Sequence, residues 1–97
     1  MTVNESTVDP AVAAIREEIT ALDLRLVATI NERIEAVERL RRYKQQNGIA
    51  FFDPNREAWL VQHLKDVNKG PLSEEGLEEL VAFVLGLVKR EVTDPRG

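Results

Sequence analysis

The sequence predicts an all-α protein of three helices with a long first helix. Three observations predict it. After Pro10 there is neither Pro nor Gly until Gly48, and apolar residues recur at helical spacings of three and four: Val12, Ile15, Ile19, Leu22, Leu26, Ile30, Val37 and Leu40. Two later stretches each open on a capping residue and carry the same periodicity. No stretch combines strand alternation with turn chemistry.

Residues 1–8 read as a flexible tail, and residues 9–97 as a single helical domain. Asp9 is suited to cap a helix whose first position is Pro10, because that position needs no backbone donor. Asn47-Gly48 ends this helix near Gln46, since glycine accepts the left-handed cap. Ile49 to Phe52 forms a short apolar connector. Asp53-Pro54 repeats the start signal, and a second helix runs from Asn55 to about Asn68, with Leu60, Leu64 and Val67 on its apolar face. Lys69-Gly70-Pro71 breaks it. Ser73 caps a third helix from Glu74 to about Val92, in which Leu77, Leu80, Val81, Val84, Leu85 and Val88 form a buried face. Thr93 to Gly97 is a frayed end.

The first helix is too long for its own domain. At about 1.5 Å per residue it reaches roughly 55 Å, against a radius of gyration of about 12–13 Å for a compact domain of this length. Much of its apolar stripe would stand in water. A second copy of the chain covers it most economically, which predicts an intertwined helical homodimer built on the two long helices.

Net charge is −4, with no basic run at either end, which argues against a general nucleic-acid binder. The absence of cysteine excludes a disulfide framework and thiol chemistry, and one His leaves no structural zinc site. No cofactor is expected. No apolar run approaches the ~20 residues of a membrane span, and the N-terminus lacks a signal pattern. The expectation is a soluble cytoplasmic protein with no membrane partner.

Against that acidic background, Arg33 and Lys44 fill apolar positions of the first helix's stripe, about three turns apart and on the same face. Cations on a buried face are costly unless an anion meets them. The second helix's stripe, extended back one turn, reaches Arg56, at a helix start where the macrodipole already favours an anion. Glu57 lies beside it. These residues read as a site for a small anion. The alternative for Arg33 and Lys44 is two long side chains snorkelling out of a dimer seam.

Several short pieces, in order, carry a family resemblance: Ile15-Arg16-Glu17-Glu18-Ile19, Leu22-Asp23, Ile30-Asn31-Glu32-Arg33, Tyr43-Lys44, Asp53-Pro54-Asn55-Arg56-Glu57, and the loop Asn68-Lys69-Gly70-Pro71. From about Ala11 to Val92 the chain resembles the all-helical (type II) class of chorismate mutase. The resemblance implies a homodimer with two active sites, each drawing on both subunits. It implies an isomerase that rearranges chorismate to prephenate in aromatic amino acid biosynthesis. It further implies that Arg33 grips one carboxylate, that Lys44 contacts the ether oxygen and a carboxylate, and that Arg16 enters from the partner subunit. Arg56 would fix neighbouring carboxylates and, through them, Lys44. Asp53 and Glu57 would hold the loop and accept the ring hydroxyl, Glu57 most directly.

The third helix departs from the family. Members often carry Ser or Thr and then Gln or Glu there, four apart, and the register puts Val88 and Val92 at these substrate-binding positions. Neither side chain donates a hydrogen bond. The departure keeps other readings in view: a mutase or lyase acting on 4-amino-4-deoxychorismate or isochorismate, or a non-catalytic or partner-activated helical module that binds an aromatic-pathway synthase. Among the remaining residues, His63 reads as a surface histidine, Arg39, Arg41 and Arg42 as a solvated helix face, and Phe51, Phe52 and Trp59 as packing for the connector and second helix.

Overall fold

The computed structural model describes residues 9–93. The tail expected at residues 1–8 lies outside the described residues, as does the frayed end expected from Thr93 to Gly97 apart from Thr93 itself, which is the last residue of the third helix. The chain forms three helices, α1 (Pro10–Gln46), α2 (Pro54–Val67) and α3 (Glu74–Thr93), with no strand among the described residues. These bounds match the sequence reading to within a residue or so at each end.

The agreement comes from the caps. The Asp9 carboxylate accepts from the Ala11 N–H at 2.7 Å. Asp53 accepts from the Arg56 N–H at 3.1 Å, and the Ser73 hydroxyl accepts from the Gly76 N–H at 3.0 Å. Each satisfies a donor that the helix itself leaves free. At the C-terminus of α1, Gly48 adopts φ +67, and the Ile49 N–H reaches back to the Lys44 carbonyl at 2.8 Å. This six-to-one bond closes a Schellman cap, which requires the left-handed residue that glycine supplies. Between α2 and α3, Asn68 bonds both ways, donating to the Leu72 carbonyl at 2.8 Å and accepting from the Gly70 N–H at 3.1 Å.

The described residues fall into two compact units divided after Glu32. In the unit from residue 33 onward the buried side chains all belong to α3: Leu77, Val81, Val88 and Val92. Val84 and Leu85 are half-buried, as are Leu60 and Leu64 of α2. Leu80 and Val67, expected on buried faces, are exposed. Leu80 sits about 60° around the helix from Leu77, at the margin of the arc that α3 buries. An ion pair between Lys65 and Glu78 joins α2 to α3. The hydrogen bond to Glu78 pushes the Lys65 ammonium above its ordinary pKa.

The other unit is the first part of α1. Val12, Ile15, Ile19, Leu22 and Leu26 there are 41–57% exposed. No described helix is long and apolar enough to cross a membrane.

Candidate active site

Within the unit from residue 33 onward, all three helices and the connector line a cavity of about 210 Å³. That is small beside the ~300–1,000 Å³ of drug-sized pockets and suits a compact ligand. The last turns of α1 present Arg33, Val37, Leu40 and Lys44, spaced four, three and four apart and so on one face. The connector adds Phe51, Phe52 and Asp53; α2 adds Arg56, Glu57 and Leu60; α3 adds Leu85, Val88 and Lys89.

The lining is rich in fixed positive charge. Four cations, Arg33, Lys44, Arg56 and Lys89, face two carboxylates, Asp53 and Glu57. The Asp53 carboxylate is occupied as the α2 cap. Glu57 Oε2 lies 3.5 Å from Lys89 Nζ. Arg33 and Arg56 have no carboxylate within ion-pair distance among the described residues. The Lys44 ammonium is half-buried and donates to the Phe51 carbonyl at 3.2 Å, which uses one of its three donors.

Six of the residues singled out from the sequence therefore meet: Arg33, Lys44, Asp53, Arg56, Glu57 and Val88 line one cavity. Val88 is 1% exposed and forms part of the apolar wall. Val92 is buried but lines a separate hollow with Ile34, Glu38, Arg42 and Glu91. Arg16 belongs to the first unit, exposed on α1, and is not among the lining residues.

Other expectations need correction. Among the described residues the Arg56 guanidinium has no carboxylate within ion-pair distance. It stacks over the Trp59 ring at 4.4 Å, and Trp59 stacks on His63 at 4.7 Å. Trp59 is half-exposed, so it serves this stack and not a buried core. Phe51 and Phe52 line the cavity as well as the connector. The expected solvated basic face is partly paired. Arg41 donates to Glu38 at 2.7 and 3.1 Å, and that hydrogen bond holds the Glu38 carboxyl below its ordinary value against the opposing effect of desolvation.

Lys89 is the cavity residue that the sequence reading missed. It sits at the edge of a charged run, Lys89-Arg90-Glu91, that reads as a solvated helix end. The usable signal was its spacing of four from Leu85.

The fold and cavity define an all-helical protein with a cation-rich hollow and no hydroxyl or thiol nucleophile among the lining residues. Comparison with known proteins narrows that class. The sequence profile of the family described as chorismate mutase type II matches residues 15–92. The chain is 35% identical over 77 residues to the bifunctional chorismate mutase/prephenate dehydratase of Stutzerimonas stutzeri, a match covering 74% of this chain and 21% of that protein. The corresponding bifunctional protein of Pseudomonas aeruginosa is 36% identical over 77 residues, with the same coverage. The 4-amino-4-deoxychorismate mutase of Streptomyces venezuelae is 31% identical over 80 residues, covering 82% of this chain and 72% of that one. Among solved structures, chorismate mutase (Form I) from Thermus thermophilus shares the fold, with a TM-score of 0.78 at 23% identity over 80% of this chain and 98% of that one. The chain belongs to the chorismate mutase type II family. It spans about a fifth of the length of the bifunctional relatives.

Proposed function

We propose that the protein is a chorismate mutase, an isomerase converting chorismate to prephenate. One observation carries the reading within the family. A chain of net charge −4 lines a 210 Å³ cavity with two more cations than carboxylates, a surplus that matches a small dicarboxylate.

The rearrangement is pericyclic. An ether C–O bond breaks as a C–C bond forms, so no nucleophile, proton transfer or metal is required. The protein has to hold the folded conformer and stabilise negative charge growing on the ether oxygen. Arg33 suits a carboxylate through its planar fork. Lys44 is a compact donor already held at the cavity by the Phe51 carbonyl, with two donors left for the ether oxygen and a carboxylate. Glu57 accepts from the ring hydroxyl. Asp53, by capping α2, fixes the turn that presents Arg56 and Glu57.

In this reading Arg16 comes from a second copy, and the 9–97 domain works as an intertwined homodimer. The exposed stripe of α1 supports it: Ile15, Ile19, Leu22 and Leu26 are each more than half exposed, a continuous apolar face of the sort that marks an association surface.

The test is loss of chorismate's diene absorbance with purified protein, and identification of prephenate as product. Arg33→Ala should abolish turnover and leave the helical circular dichroism in place. Two inactive proteins, Arg16→Ala and Arg33→Ala, should regain activity when mixed under subunit exchange, because one site of the mixed dimer is intact. Absence of such complementation would sink the shared site.

A second reading is favoured by the Streptomyces venezuelae relative, a 4-amino-4-deoxychorismate mutase that this chain covers for 72% of its length. The same cations serve that dicarboxylate, and Glu57 can face an amino group as readily as a hydroxyl. The ratio of kcat/KM for the two substrates decides between them. No turnover of either, with fold and dimer intact, would point to a partner-activated or synthase-binding module.

A further inference from the structure

We propose that Lys89 donates directly to the substrate's anionic oxygens. It would be the polar contribution of α3 that Val88 and Val92 cannot make. The inference rests on the mutase reading above.

Three observations carry it. The first is position. Leu85, Val88 and Lys89 are the α3 residues lining the cavity, so without Lys89 that wall is hydrocarbon. With it, cations reach the cavity from every helix: Arg33 and Lys44 from α1, Arg56 from α2, Lys89 from α3. A dicarboxylate has two anionic groups and a developing charge on the ether oxygen, and donors on one side cannot reach all of them.

The second is how Lys89 is held. Its Nζ lies 3.5 Å from Glu57 Oε2 and 4.0 Å from the centre of the Phe52 ring. A free lysine loses considerable rotamer freedom when it is fixed. Here a carboxylate and an aromatic face from two other segments restrain the ammonium at the cavity before any ligand arrives. An ammonium has three donors, and these two contacts leave one for a ligand.

The third is the balance of charge at Glu57, the lining carboxylate not engaged as a helix cap. Left unpaired beside a dicarboxylate it would repel it; paired with Lys89 it does not, and stays free to accept from the ring substituent. Lys89 thus serves where polar residues on α3 are absent, by a different chemical group one position from Val88.

The experiment compares steady-state turnover of chorismate by the wild type, Lys89→Met and Lys89→Arg, with the first two repeated in a Glu57→Gln background. Lys89→Met should lower kcat/KM about 10²-fold, most of it in kcat, as loss of one donor to a developing oxyanion does. Lys89→Arg should retain activity within about tenfold, since it keeps the charge but not the shape. Prephenate binding, followed by calorimetry, should weaken in Lys89→Met, with the circular dichroism unchanged. In the Glu57→Gln background, Lys89→Met should again cost a large factor. The proposal is overturned if Lys89→Met turns over within twofold of the wild type, or if it costs nothing further once Glu57 is changed, for then Lys89 only positions Glu57. Failure of the wild type itself to convert chorismate or 4-amino-4-deoxychorismate would overturn the mutase reading, and this assignment with it; the unmutated protein alone tells that case apart.

Discussion

Two apolar faces of similar composition have opposite surroundings in this chain. On α3, Leu77, Val81, Val88 and Val92 are buried. On α1, the stripe from Val12 to Leu26 stays 41–57% exposed. Both were written with the same three-and-four spacing. The difference teaches that periodicity specifies that a helix has an apolar face, while burial depends on what the rest of the assembly supplies. The α3 face finds its cover within its own unit. The α1 face is the one for which we propose a second copy.

The most severe way to break this contrast is to place a charge on the uncovered face. Leu22→Glu should give a monomer by light scattering and abolish chorismate turnover, because a buried unpaired carboxylate in the seam is far costlier than an exposed one. A dimer that keeps its activity would show that the stripe is not the interface. Next in size is the covered face. Leu77→Ala should lower unfolding stability by about 2–5 kcal/mol, the range for deleting a buried leucine, as read from urea denaturation at fixed protein concentration. Asp53→Ala should cost about 1 kcal/mol for the lost cap, together with a fall in kcat/KM because the turn bearing Arg56 and Glu57 loosens. A fall in stability with kinetics unchanged would separate the cap from the site.

The smallest effect concerns the Lys65–Glu78 pair. The folded state raises the Lys65 pKa above its ordinary 10.5, chiefly through the hydrogen bond to Glu78. A raised folded value stabilises the protein fully below the unfolded value, and that contribution is lost as pH rises through the folded one. The stability gap between wild type and Lys65→Met should therefore be flat at neutral pH and close above about pH 10.5. A gap that persists unchanged into that range would assign the effect to the lysine's hydrocarbon stem.

Most of the fold was legible because its signals are local. Asp9, Asp53, Ser73 and Gly48 each act on backbone groups within a few residues, and each stands where the sequence placed it. Arg33 and Lys44 were legible as cations interrupting an apolar stripe, and both line the cavity. What escaped were features set between elements. Lys89 resembles an ordinary helix-end charge until Glu57 and Phe52 are brought beside it. Val92 shares Val88's face of α3 but stands about 6 Å further along the helix axis, past the cavity and beside Glu38 and Arg42. Leu80 and Val67 carried the right spacing and remain exposed, since spacing alone does not say how wide a face the neighbours cover.

Lys44 is tied twice to the segment that follows it, through its carbonyl to the Ile49 N–H and through its ammonium to the Phe51 carbonyl. Those two ties make the connector a gauge. The side chains of Ile49 and Ala50 can drift without moving the Phe51 carbonyl, but one inserted residue adds about 3.5 Å of chain and pulls that carbonyl out of reach while every residue of the cavity stays the same. Between Gly48 and Phe51, what descendants of this chain have to inherit is a length more than a spelling.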